Sequence, residues 1–134
     1  MVSLTDSEIR TGLWQGIAAF REGRYFEAHE AWENPWREMA FPHRSFWQAL
    51  IQLSVGAYHY QNDNLRGCRN LWNKALKRCN LLLQEAGPIP APLVIALQSL
   101  LVQALLATHS GSNPLPLLHA FSRKTLDVSW VEHF

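Results

Sequence analysis

Charge is what this sequence is shortest of. Asp, Glu, Lys and Arg make up 17% of its 134 residues, where about a quarter is usual for a globular chain. Between Ala86 and Ser122 there is none at all. Together with 48% apolar residues, this excludes a disordered chain, a collagen-like repeat and a charged coiled coil. A net charge of +1 gives no general attraction to nucleic acid or to an anionic membrane, so a nucleic-acid partner is not expected. Cysteine is scarce too. Cys68 and Cys79 stand eleven residues apart in what reads as one helix, about three turns, which is too far for a disulfide. No Cys-x-x-Cys pair is present, which removes zinc ribbons and dithiol redox motifs. Two reduced thiols predict a cytoplasmic protein, and the N-terminus shows no basic segment followed by an apolar run. Gly-x-Ser-x-Gly, a glycine-rich phosphate loop and any long Val/Ile/Thr alternation are missing as well, so neither Ser-based catalysis nor a sheet is supported.

What remains is helical periodicity in one domain spanning residues 1–134. Thr5 and Glu8 have the spacing of a capping box, with Leu4 and Ile9 as the accompanying apolar staple. Ile9, Leu13, Ile17 and Phe20 then repeat at helical spacing, and Gly23 is the expected stop. A second helix runs from about Tyr25 toward Glu33, and Pro35 predicts an end or kink followed by a short turn through Trp36, Arg37 and Glu38. A third covers about Arg44 to Gln61, a fourth about Leu65 to Glu85, and a fifth about Leu93 to His109. A short sixth piece over Leu115 to Ser122 is open, and so is the tail beyond it. The expected fold is therefore all-α, a compact bundle of about five helices built on two antiparallel hairpins. Ala19 to Trp32 is echoed by Ala57 to Trp72 at an offset near 39, which fits a duplicated hairpin or two antiparallel hairpins that share packing rules.

The densest ionisable cluster is Phe26-Glu27-Ala28-His29-Glu30-Ala31-Trp32-Glu33. On a helix, Phe26, His29, Glu30 and Glu33 share one face, and Tyr25, Ala28 and Trp32 share the next. On the third helix Gln48, Gln52, Val55 and His59 form a matching set. Antiparallel packing would bring His29, Glu30 and Glu33 to Gln52 and His59 inside the bundle, walled by Trp32 and Trp47. Buried polar groups left unpaired cost about 2–7 kcal/mol each, so such a cluster must be satisfied, and three arrangements stay open. One is a structural network holding helix register. Another is a ligand pocket serving a non-enzymatic binding or interaction module, for a small molecule or protein partner and with no cofactor required. The alternative is a metal-dependent hydrolase: His29 and Glu33, at i and i+4, would hold a divalent metal with His59 as third ligand, and Glu30 would be the base.

These residues resemble a family. Tyr25 to Glu33, then Leu50-Ile51-Gln52 and Ala57-Tyr58-His59, with Asn and Gly in the following turn, is similar to the small helical family called domain of unknown function 309. The resemblance covers about Phe20 to Leu83. Ala31 stands where the family commonly has Val, and Cys68 where it commonly has Ala. It implies a compact helical bundle of bacterial or plastid type, and it implies no activity.

Charge is also unevenly spread. Residues 1–42 hold four basic and seven acidic side chains, and residues 43–85 hold six basic and two acidic. Arg66, Arg69, Asn73 and Lys77 trace one face of the fourth helix, the pattern of a solvated stripe more than of a phosphate track. His43, His109, His119 and His133 fall near loops or ends, where surface or capping roles are expected. The Leu93–His109 helix is apolar on nearly all sides but too short and too interrupted by Gln98, Ser99 and Gln103 to be read as a membrane span. Leu97, Leu100, Leu101 and Leu105 on it are a candidate homo-oligomer seam if they are not core.

Overall fold

A computed structural model of the chain describes residues 3–85, 87–127 and 131, which leaves His133 outside the described residues. It has six helices: α1 (Asp6–Arg21), α2 (Tyr25–Arg37), α3 (His43–Gln61), α4 (Leu65–Gln84), α5 (Ala91–His109) and α6 (Leu115–Lys124). The chain is all-α among its described residues, with one helix more than the five expected from sequence. The extra element is the short C-terminal piece, which runs two residues past Ser122. Each helix packs on the next, and α6 returns to α1. Arg21, at the end of α1, closes that return by donating from Nη2 to the carbonyls of Ser122 (3.2 Å) and Leu126.

Local signals account for the boundaries. Thr5 and Glu8 form the expected reciprocal cap, each side chain accepting from the other's backbone N–H at 3.1 Å. The α1–α2 turn closes at Gly23, where φ is +77°. Pro35 does not end α2 as its chemistry predicted. The helix continues through it to Arg37, with Pro35 buried. Gly12 on α1 makes room for this, since a Cβ there would meet Pro35 Cγ at 2.6 Å. Packing of the ring into that space offsets the backbone hydrogen bond that proline cannot make.

The echo seen in sequence is a structural repeat, with an offset of 40 and not 39. Trp32 donates its indole N–H to the carbonyl of Leu13 (3.0 Å), and Trp72 donates to Leu53 (2.9 Å). In each hairpin a glycine on the preceding helix, Gly16 or Gly56, leaves the space that the indole fills. The turns match as well. Arg24 N–H reaches Ala19 O at 2.9 Å, and Asn64 N–H reaches His59 O at 2.8 Å. A third turn of the same kind joins α5 to α6, with Gly111 at φ +77° and Ser112 N–H on Ala107 O at 2.8 Å.

Trp32, Trp47 and Trp72 are fully buried at the centre with Phe20, Phe46 and Leu50. The proposed seam on α5 is part of this core: Leu97 and Leu101 are inaccessible, and Leu100 and Leu105 are buried. The apolar side chains that α5 leaves exposed are Ile95, Val102 and Leu106. By length and composition alone α5 could cross a membrane; here eight of its residues are buried in the bundle. Cys68 and Cys79 are free and buried, and burial pushes both thiols up to about 12.

Candidate functional site

α2 divides the motif between two environments. Ala28 and Trp32 face inward with no exposure. His29 lies along the helix surface, half-buried. Its Nδ1 is 2.8 Å from the carbonyl of Phe26, and its Nε2 is 3.0 Å from Glu33 Oε1. Both partners are acceptors, so both bonds form together when both ring nitrogens carry hydrogen. Glu33 also has Arg37 Nη2 at 3.8 Å from its other oxygen. The Phe26 ring centroid lies 4.9 Å from that of His29 and 4.9 Å from that of Tyr58 on α3, and Phe26 and Tyr58 stay partly open to solvent, at 42% and 36% exposure. Glu27 is taken by Arg24, whose guanidinium is held above its ordinary value by Glu22 and Glu27.

Glu30 points to the other side. It is exposed and lines a shallow groove of about 360 Å³ between α1 and α2, with Glu8, Thr11, Gln15 and Asn34. Glu8 is committed to the cap of α1. Glu30 has no ion-pair or hydrogen-bond partner among the described residues.

The interior site expected from sequence is therefore not assembled as one cluster. Trp32 and Trp47 meet edge to face, ring centroids 5.4 Å apart, as core residues and not as the walls of an open pocket. Gln52 is buried, and its Oε1 has no hydrogen-bond partner among the described residues, which costs about 1–3 kcal/mol. His59 sits at the α3–α4 turn with its Nδ1 3.4 Å from Asn64 Nδ2. Among the described residues no three of His, Cys, Asp or Glu are placed to hold a metal ion, so His29 and Glu33 form a pair without His59. The reason is rotational. Residues 29, 30 and 33 span more of the helix circumference than one contact with α3 can cover, and the inward stripe of Tyr25, Ala28 and Trp32 takes that contact. The groove residues Thr11, Gln15 and Asn34 carry little mark in the sequence. Their one signal is i, i+4 polar pairing, Thr11 with Gln15 and Glu30 with Asn34, on facing helices.

The basic face of α4 also differs from a free stripe. Arg69 is half-buried and crosses to α5, donating from Nε to Thr108 Oγ1 (3.1 Å) and from Nη2 to the Thr108 carbonyl (3.0 Å). It caps the end of that helix.

Comparison with known proteins bears on the same region. The chain is 35% identical over 54 residues to the uncharacterized protein YpuF of Bacillus subtilis (strain 168). That match covers 40% of this chain and 31% of the relative, so the chain spans well under half the length of the curated protein it matches. No solved structure matches it. Residues 13–71, which contain His29, Glu30, Glu33, Gln52 and His59, match the model of a family described as domain of unknown function (DUF309), so this stretch of the chain is similar to that family.

Proposed function

We propose that this domain is a non-enzymatic binding module whose ligand is cationic and engages the outer side of α2. The observation that carries this reading is Glu30. It is the one carboxylate of the motif without a partner among the described residues, and it faces a groove whose lining includes the hydrogen-bonding side chains of Thr11, Gln15 and Asn34 beside apolar Leu4, Ala31 and Pro35. A carboxylate flanked by amide and hydroxyl groups suits an ammonium or guanidinium head, which brings several donors and one positive charge. Two buried free thiols support placing the protein in the cytoplasm. The hydrolase reading has no comparable support, because His29, Glu33 and His59 do not converge.

The test is titration of the protein with agmatine, followed by amide chemical shifts. Agmatine is expected to move the amides of Thr11, Gln15, Glu30 and Asn34. Glu30→Gln should weaken binding at least fivefold with an unchanged melting temperature, whereas Glu27→Gln should leave binding intact. An absence of shifts in that groove, or equal binding by Glu30→Gln, overturns the reading.

A further inference from the structure

Where α2 ends and α3 begins lies a second cavity, of about 260 Å³, lined by Trp36, Phe41, Arg44, Ser45, Gln48 and Arg78. It draws on three helices and the loop between two of them. Its character is opposite to that of the Glu30 groove, and nothing in the motif predicts it.

Two guanidinium groups line this one space. Arg44 lies over the Trp36 ring, 4.1 Å from its centroid, and the Trp36 indole N–H donates to the Arg44 carbonyl at 3.0 Å. One aromatic side chain thus holds both the backbone and the head of Arg44. Stacking uses the flat face of the guanidinium and leaves its in-plane N–H donors unspent. Arg78 comes from α4, and its guanidinium makes one hydrogen bond among the described residues, from Nη1 to Ser45 Oγ at 3.5 Å. Neither arginine has a carboxylate partner among the described residues. Both lie in the span of residues 43–85, which holds six basic and two acidic side chains. Two like charges facing a common space without a counter-ion repel each other, and an anion entering that space relieves the repulsion.

The rest of the lining narrows the ligand. Ser45 and Gln48 add a hydroxyl and an amide that can bond further oxygens. Phe41 is 64% exposed and offers a flat apolar surface at the rim. Oxyanion donors inside and an aromatic plate at the edge suit a phosphate joined to a planar ring. We propose that this cavity is an anion site that takes the phosphate of a small phosphorylated ligand, with the ligand's ring against Phe41. Arg44 and Arg78 clamp the phosphate from α3 and α4. The site is independent of the Glu30 groove and stands whether or not a cation binds there.

Calorimetric titration of the full chain with AMP, adenosine and inorganic phosphate separates the contributions. AMP is expected to bind at least tenfold more tightly than either of the others. Arg78→Gln and Arg44→Gln should each weaken AMP at least tenfold, while Arg66→Gln, which removes an exposed charge that does not line the cavity, should change affinity less than twofold. Melting temperatures of the ligand-free variants, checked first, keep a folding defect from passing as a binding defect, and Arg78→Lys retains the charge and should recover part of the affinity. Adenosine binding as well as AMP, or Arg66→Gln weakening AMP as much as Arg78→Gln does, overturns the proposal. Inorganic phosphate binding as tightly as AMP overturns the part assigned to Phe41.

Discussion

The first and second hairpins follow the same plan forty residues apart, and they differ where the plan meets its neighbour. Leu13, Gly16 and Trp32 correspond to Leu53, Gly56 and Trp72, with the same indole-to-carbonyl bond in each. On the outward side, His29 corresponds to Arg69, Glu33 to Asn73 and Phe26 to Arg66. Arg69 reaches across to α5 and spends its donors on Thr108. His29 turns back along its own helix, to Phe26 and Glu33. The second hairpin thus uses this position to fasten the next helix. The first leaves it on the surface beside two half-open aromatic rings. Equal packing inside and unequal chemistry outside mark α2 as the helix whose outer face is free for a role other than holding the bundle together.

The largest expected effect tests the shared interior. Gly16→Ala places a methyl group where the Trp32 indole sits, and Gly56→Ala does the same against Trp72. The indole must move, and overpacking of this kind costs about 1–3 kcal/mol. Loss of the bond to a buried indole N–H adds about 1–3 kcal/mol. Both variants should melt well below the wild type, by similar amounts. If one hairpin tolerates the methyl group and the other does not, the two interiors are not equivalent.

A smaller and asymmetric effect is expected outside. Arg69→Ala removes charged hydrogen bonds that cap α5, worth about 1.5–3 kcal/mol. His29→Ala removes a partly exposed pair within one helix, worth about 0.2–1 kcal/mol. Chemical denaturation of both variants measures the difference directly. Equal losses would mean that His29 is as structural as Arg69, and the case for a free outer face on α2 would fall.

Much of the architecture was legible because its signals are local. Thr5 with Glu8, and Gly23, each act on their own few residues, and each marks a boundary in the structure. Pro35 misled because its fate depends on Gly12, twenty-three residues earlier, whose missing side chain makes room for the ring. Sequence periodicity sees one helix at a time, and this contact lies between two. The candidate site failed to converge for a related reason. Helical spacing placed His29, Glu30 and Glu33 on a common face, but it could not say which part of that face α3 would cover. The tryptophans took the covered part. The Arg44 and Arg78 cavity was illegible altogether, since thirty-four residues and two helix boundaries separate its two charges.

The finest test concerns the turns, and there the two hairpins should respond with opposite sign. Gly23 has φ +77° and Asp63 has φ +59°, and each donates to the carbonyl three residues earlier, at 3.0 Å and 3.1 Å. The backbone demand is the same, but only glycine meets it without strain. A Cβ at Gly23 would find nothing nearer than Gln61 Nε2 at 4.0 Å, so Gly23→Ala is limited by backbone conformation and not by space. It should cost about 1 kcal/mol, the usual penalty for a side chain in the left-handed region. Asp63→Gly removes that penalty, smaller for Asp than for most residues, and gives back part of it as unfolded-state entropy. The net should lie between zero and about 1 kcal/mol of stabilisation. Thermal melts of the two variants should therefore move in opposite directions by a few degrees, roughly 2–6 °C for a chain of this size. Shifts of the same sign would show that the second turn draws on the Asp63 side chain, and that the two hairpins share a shape without sharing the reason for it.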